Sequence, residues 1–321
     1  MAGWLDVHAH YLTPRYAQAC REAGCAQPDG MPAIPEWSVD AALEVMADTE
    51  VAAAVLSVSS PGVHFGDSSI GANPAARALA EHVNDAGARI VARHPPRFGL
   101  SAVLPLPDVD GALAELARAY DDLHADAIAL KTNCHGRYLS DPAFVPLLAE
   151  LHRREAVVTL HPTSPACWEA VSMGRPRPML EFIFDTTRCV ADLALSGILD
   201  RYARIHWIIP HAGAVLPTVA HRVGAMTAFT GAPVDFPAML GRLYYDLAGM
   251  PLPVGLDALL AVAEPDRLLY GSDFPFTPAP VVTALAAALT RAPQLEKASL
   301  SLAPTSPGAA LFPRLASTQP A

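Results

Sequence analysis

His8, His10, His161, His211 and Asp273 are the residues of this chain whose types and placement fit shared chemistry. Each stands at the end of a short run rich in Val, Ile or Leu, the composition of a buried strand. Side chains two apart on a strand share a face, so His8 and His10 project together, with Asp6 expected beneath them. The same parity groups His161 with Val157 and Thr159, His211 with Trp207 and Ile209, and Asp273 with Leu269 and Gly271. Neutral imidazoles and a carboxylate suit a borderline divalent ion such as zinc. One histidine at a strand end is explained as well by ordinary packing. His-x-His on the first strand together with three partners at other strand ends is not. The remaining histidines give less. His82, His94, His124 and His152 fall on polar helical surface, and His206 and His221 read as structural.

The elements that must position those residues are eight short apolar runs, at 4–8, 51–58, 98–104, 127–131, 157–161, 205–211, 243–247 and 268–273. Between them lie amphipathic, alanine-rich stretches with helical spacing, near 74–91, 109–123, 142–154, 180–199, 216–228, 255–263 and 280–289, and one that follows Ser38 as N-cap. Eight strands alternating with helices predict an α/β fold, a (β/α)8 TIM barrel whose strand ends meet at one mouth. A doubly wound open sheet would place a Gly-rich phosphate turn after the first strand, where this chain has His8-Ala9-His10. No linker or repeat divides residues 1–321, so a single barrel domain is expected. Two βα segments, about 11–37 and 162–179, are long insertions at the catalytic end.

The chain has 321 residues, 52% hydrophobic and 17% charged, with 32 acidic and 22 basic residues and a formal charge of −10. High hydrophobicity with low charge excludes a disordered chain, and the acidic balance argues against nucleic-acid binding. Apolar runs stop short of the about 18 residues a membrane span needs, and the opening residues lack the basic start of a signal peptide. Five scattered cysteines with no Cys-x-x-Cys pair form no disulfide framework. A cytoplasmic protein with free thiols, without membrane or nucleic-acid partners, is the expectation.

His8-Ala9-His10, His161-Pro162-Thr163, Pro210-His211-Ala212-Gly213 and Gly271-Ser272-Asp273-Phe274-Pro275-Phe276 resemble signatures of the amidohydrolase superfamily. They are nearest its branch related to aminocarboxymuconate-semialdehyde decarboxylase, and most similar to its 6-methylsalicylate decarboxylase-type members. Leu56 to Val63, Asp185-Thr186-Thr187-Arg188 and Leu311-Phe312-Pro313-Arg314 extend the likeness over nearly the whole chain. The resemblance implies that His8, His10, His161 and Asp273 are metal ligands and that His211 is the catalytic histidine beside the metal. It also favours Zn2+ over Mn2+, requires no organic cofactor, implies a homodimer, and makes Arg188 and Arg222 candidates for a substrate carboxylate. Two departures stand out: Pro307-Gly308 replaces the usual Asn-Ala, and Lys131 ends strand 4 where an apolar, small or His residue is expected.

Lys131 reads as an anchor for an anionic substrate, a carbamate bridge between two metals, or a rim residue extending to solvent. His64 in 62–67 and His135 in 133–138 are further candidates for substrate contact, and Trp37, Phe65, Tyr138 and Trp168 for ring stacking. The function expected is a metal-dependent, non-oxidative decarboxylase of a small hydroxy-aromatic or unsaturated carboxylic acid, with His211 and Asp273 as proton carriers. Two alternatives stay open. One is a hydrolase that attacks a lactone or amide with metal-activated water. The other is a catalytically inactive metal-binding scaffold.

Overall fold

Residues 3–298, 301–303, 305–306 and 308–316 are described by a computed structural model of the chain. Eight parallel strands form one sheet: β1 (Trp4–His10), β2 (Val51–Ser57), β3 (Phe98–Val103), β4 (Ala127–Lys131), β5 (Val157–His161), β6 (His206–Ile209), β7 (Tyr244–Asp246) and β8 (Leu268–Leu269). A bridge between Asp6 and Tyr270 joins the last strand to the first, so the sheet closes as the expected barrel.

The core has two layers. Leu5, Val7, Ala53, Val55, Ala127, Val157, Ile208 and Leu269 form one cluster with Phe312 and Leu315 from the C-terminal segment. A larger cluster joins the strands to the surrounding helices, for instance Leu56, Leu100, Ile128 and Leu160 with Leu79, Leu116 and Leu148. Helices start where their side chains can satisfy the first free N–H groups. Ser38 accepts from Ala41 N at 3.1 Å ahead of Val39–Asp48, as its sequence position implies, and Asn73 and Asp108 do the same for Pro74–Arg93 and Val109–Asp121. None of the described helices is long and apolar enough to cross a membrane.

Three expectations need correction. The segment 11–37 is not one loop, because it carries the helix Pro14–Glu22, capped by Thr13. The segment 162–179 holds only the single turn Trp168–Val171 and a 3-10 turn at Arg177–Met179. β6 and β8 stop before the residues they were expected to carry. His211 and Asp273 each have φ of 57°, so they stand on turns beyond the strands and strand parity does not orient them. Finally, Asp6 does not lie on the face of His8 and His10. Between Asp6 and Ala9, β1 spends three residues while β2 advances only from Ala54 to Leu56, which is a β-bulge. Pro307 lies outside the described residues.

Candidate active site

The bulge in β1 decides which way the histidines point. It lets Leu5 and Val7 join the inner core while His8 and His10, the next residues of opposite parity, reach the cluster at the mouth. A bulge frees backbone N–H groups from the ladder, and here a side chain takes them: Asp6 Oδ1 accepts from His8 N at 3.0 Å and from Ser272 N at 3.1 Å. Asp6 is buried, and burial raises its carboxyl to about 6 against those hydrogen bonds. The same side chain thus fixes β1 and the turn that carries Asp273.

His8, His10, His161 and Asp273 each offer one ligand atom, and these atoms lie within 4.8 Å of one another. Their imidazoles are buried, with ring centroids 4.9 to 5.3 Å apart. Every Nδ1 is occupied outward. That of His8 lies 2.8 Å from Asp246 Oδ2, that of His10 is 2.9 Å from Ser57 Oγ, and that of His161 is 2.7 Å from the Pro162 carbonyl. Ser57 spends its own hydroxyl proton on the Ala9 carbonyl at 3.2 Å, so toward His10 it is an acceptor. All three rings therefore donate from Nδ1 and aim Nε2 inward, the arrangement that outer partners impose on metal-binding histidines. Nε2 of His8 and of His10 are buried without a hydrogen-bond partner, and Asp273 Oδ1 lies 3.6 and 3.2 Å from them. Three imidazole nitrogens and one carboxylate fit a divalent cation.

The electrostatics agree with that fit. Burial opposes charge on His8, but Asp246, Asp273 and Asp6 outweigh it and lift the ring to about 9. Burial also opposes charge on Asp273, yet His10, His8 and His211 hold it down to about 2. Burial lowers His10 to about 4 and pushes His161 well below the ordinary imidazole range. The surrounding carboxylates thus favour a positive charge here, carried by the His8 proton when no ion is bound, and a cation held by these residues would displace that proton.

His211 is set beside this cluster, its ring centroid 5.2 Å from that of His8. Asp246 Oδ1 accepts from His211 N at 3.0 Å, so one carboxylate orients His8 through its side chain and His211 through its backbone. Burial lowers His211, keeping it neutral, and its Nδ1 is buried without a partner. Asp273 is placed by its own N–H on the His8 carbonyl at 2.7 Å, and Thr277 Oγ1 donates to its Oδ2 at 3.2 Å. Above them opens a chamber of about 470 Å³, with Ser59, His161, Phe182, His211, Asp273 and Phe276 in its walls.

Lys131, His64 and His135 are together, but in a second chamber of about 430 Å³. Lys131 Nζ donates to the Val58 carbonyl at 2.7 Å, and the ligand cluster does not include it. That geometry does not support the two-metal bridge. Burial pushes Lys131 down to about 7, with Asp29 and Cys134 acting the other way. His64 is hydrogen-bonded to His135 at 3.0 Å and to Asn73 at 2.9 Å. Arg188 and Arg222 are corrected: both are exposed on their helices, and neither lines either chamber. Of the aromatic candidates, Trp168 lines the second chamber, Trp37 packs edge-on against Tyr11, Phe65 borders a separate surface cleft, and Tyr138 donates to Asp185 at 2.6 Å.

Sequence reading assigned no role to Asp246 and named Asp185 only within a motif. Asp246 carried a usable signal, a carboxylate at the end of a buried strand run. Asp185 is fully buried and also accepts from Thr132 Oγ1 and from Asn133 Nδ2, which pins the chain after β4.

A closed parallel barrel with a donor cluster at the carboxyl ends of its strands defines a barrel protein with a metal-competent catalytic mouth. Comparison with known proteins makes this specific. The Amidohydrolase family profile matches residues 5–301. A 6-methylsalicylic acid decarboxylase of Aspergillus aculeatus is 36% identical over 289 residues, covering 85% of this chain and 84% of that protein. A 6-methylsalicylic acid decarboxylase of Penicillium expansum is 35% identical over 292 residues, covering 85% of each. A crystal structure described as an amidohydrolase II superposes with a TM-score of 0.84 at 35% identity, over 91% of this chain and 94% of that one. The chain belongs to the amidohydrolase family.

Proposed function

We propose that this protein is a metal-dependent, non-oxidative decarboxylase of a small ortho-hydroxy aromatic carboxylic acid, of the 6-methylsalicylate type. What carries the reading is the assembly of a complete four-donor cluster with His211 beside it, in a chain whose curated relatives are named as decarboxylases. His8, His10, His161 and Asp273 hold the ion, with zinc favoured over manganese by three nitrogen donors to one oxygen. When bound, the ion supplies Lewis-acid polarisation of the substrate's oxygens.

The remaining work falls to the chain. Phe182 and Phe276 supply apolar walls to the chamber, excluding water from the ring. Decarboxylation requires a proton at the carbon that bears the carboxylate. Its arrival interrupts aromaticity, and cleavage of the bond to CO2 returns the electron pair to the ring. The balance is one carboxylate and one proton in, one arene and CO2 out, with no oxidant. His211, neutral and unpartnered at Nδ1, is placed to carry that proton. Asp273 is held ionised and tied by Thr277, so its part is to orient His211's surroundings and the cation.

The same proposal includes a single domain over the whole chain, a cytoplasmic setting and a homodimer. Exposed apolar side chains, among them Met226, Phe229, Met250 and Val254, support the dimer.

The test is incubation of purified protein with 6-methylsalicylate, with CO2 and 3-methylphenol measured before and after chelation and after readdition of zinc or manganese. Stoichiometric CO2 that chelation abolishes supports the proposal. Opening of a lactone substrate without CO2 from any hydroxybenzoate overturns it in favour of hydrolysis.

A further inference from the structure

The three inward imidazole nitrogens of the donor cluster are not alike. Nε2 of His8 and of His10 are buried without a hydrogen-bond partner, whereas Nε2 of His161 lies 3.3 Å from Ser59 Oγ. His161 Nδ1 donates to the Pro162 carbonyl, so Nε2 of the neutral ring carries a lone pair and Ser59 is the donor. Ser57, two residues earlier, meets His10 at the outer nitrogen and so supports that ring as a ligand. Ser59 meets His161 at the very nitrogen that the ligand role needs. One lone pair cannot serve a hydroxyl proton and a cation together, so Ser59 gives up this contact whenever His161 acts as a ligand.

The released proton needs another acceptor. Ser59 is buried, and a buried hydroxyl that donates to nothing is costly. Its side chain lines the chamber of about 470 Å³ together with His161, His211 and Asp273, so that chamber is where the hydroxyl can turn. The other hydroxyls in the wall are engaged. Ser60 Oγ is 2.8 Å from Thr163 Oγ1, and Thr277 Oγ1 donates to Asp273 at 3.2 Å. Among the described residues, no lysine or arginine lines this chamber. A carboxylate entering beside Asp273 therefore meets no cationic side chain, and a free hydroxyl donor at the edge of the cluster is the partner on offer. The carboxylate is also the strongest acceptor on an ortho-hydroxy aromatic acid, because the phenol stays un-ionised near pH 7.

We propose that Ser59 is a substrate-binding residue, its hydroxyl proton resting on His161 Nε2 in the metal-free site and donating to the substrate carboxylate in the loaded one. This role rests on the metal-dependent decarboxylase reading and supplies the protein's own grip on the acid. It also makes metal loading and substrate binding depend on one hydroxyl in opposite senses, because the proton that holds the carboxylate is the one that competes for His161.

The test compares the unmodified protein with Ser59→Ala and Ser59→Thr in two binding measurements. The first is competition between the metal-free protein and a chromophoric chelator for zinc. The second is calorimetric titration of the zinc-loaded protein with benzoate, which carries the carboxylate and lacks the ortho-hydroxyl that decarboxylation needs. Ser59→Ala is expected to bind zinc about 2- to 10-fold more tightly, since the metal-free state alone loses a hydrogen bond. It is expected to bind benzoate about tenfold or more weakly. Ser59→Thr keeps the hydroxyl and stays near the unmodified protein in both. A merely structural serine would weaken both, and that result overturns the proposal, as does unchanged affinity for either zinc or benzoate in Ser59→Ala. Because no turnover is read, the two proposals fail separately. Opposite shifts with no CO2 from any hydroxybenzoate keep Ser59 and remove the decarboxylase, whereas CO2 release without opposite shifts does the reverse.

Discussion

Asp246 holds His8: its Oδ2 lies 2.8 Å from His8 Nδ1, while its Oδ1 accepts from the backbone N–H of His211 at 3.0 Å. One carboxylate therefore sets the tautomer of a metal-competent ring and the position of the neighbouring His211. His8 pulls Asp246 below the ordinary carboxylate range in spite of the burial that would raise it. Asp246→Asn keeps the shape and removes the charge, and is expected to weaken metal binding by about 10- to 100-fold. Competition with a chromophoric chelator measures this directly, and unchanged affinity would contradict the assignment of Asp246 as orienter.

His211 is outside the donor cluster but in contact with the same chamber. His211→Ala should leave metal content at one ion per chain while lowering kcat by about 10²- to 10⁴-fold. Elemental analysis and CO2 release on the same preparation provide the two readings. Loss of the ion together with activity would make His211 a ligand instead.

Asp6 acts through the backbone, so its substitutions should separate by hydrogen-bonding capacity. Asp6→Ala leaves the N–H groups of His8 and Ser272 without their acceptor, at a cost of about 1 to 3 kcal/mol for each buried group. Asp6→Asn retains an amide oxygen and should recover most of that loss. Thermal unfolding of both variants checks the order, and equal destabilisation would show that charge rather than acceptance matters.

Asp108 gives a pH-dependent signature away from the site. Its carboxylate accepts from Arg77 Nε at 2.6 Å, from Asn73 N at 2.8 Å and from Gly111 N at 2.9 Å, bracing the loop that carries His64. The Arg77 hydrogen bond leads in holding it at about 2, below its ordinary 3.8, against burial. A depressed carboxyl binds fewer protons folded than unfolded, so its stabilisation is present above about pH 4 and is lost as pH falls toward 2. Asp108→Asn should lower stability at pH 7 by about 1 to 3 kcal/mol, with the gap to the parent protein narrowing below pH 4. Urea titrations at several pH values test it, and a constant gap across that range would exclude the mechanism.

What was legible beforehand follows from periodicity. Runs such as 127–131 and 157–161 coincide with β4 and β5 because a buried parallel strand must be apolar on both faces. His-x-His, the histidine that ends β5 and the Gly-Ser-Asp turn could be found by their positions relative to those runs. Asp185 was visible only as part of a motif, since nothing local announces that a helical aspartate will be buried under three donors from the segment that follows β4.

By itself the sequence determined the barrel, the five residues gathered at its mouth and the exclusion of a disordered chain, because these rest on composition and on position relative to short apolar runs. The tertiary structure alone decided how they face one another. A bulge in β1 reversed the parity that would have placed Asp6 beside the histidines, and left-handed turns at His211 and Asp273 replaced strand ends. It also sent Arg188 and Arg222 to solvent, put Arg177 of the long loop and Lys131 in the lining of one chamber, and placed Asp246 between His8 and His211. Those relations depend on where distant strands stop and how they register, and no local pattern of residues encodes that.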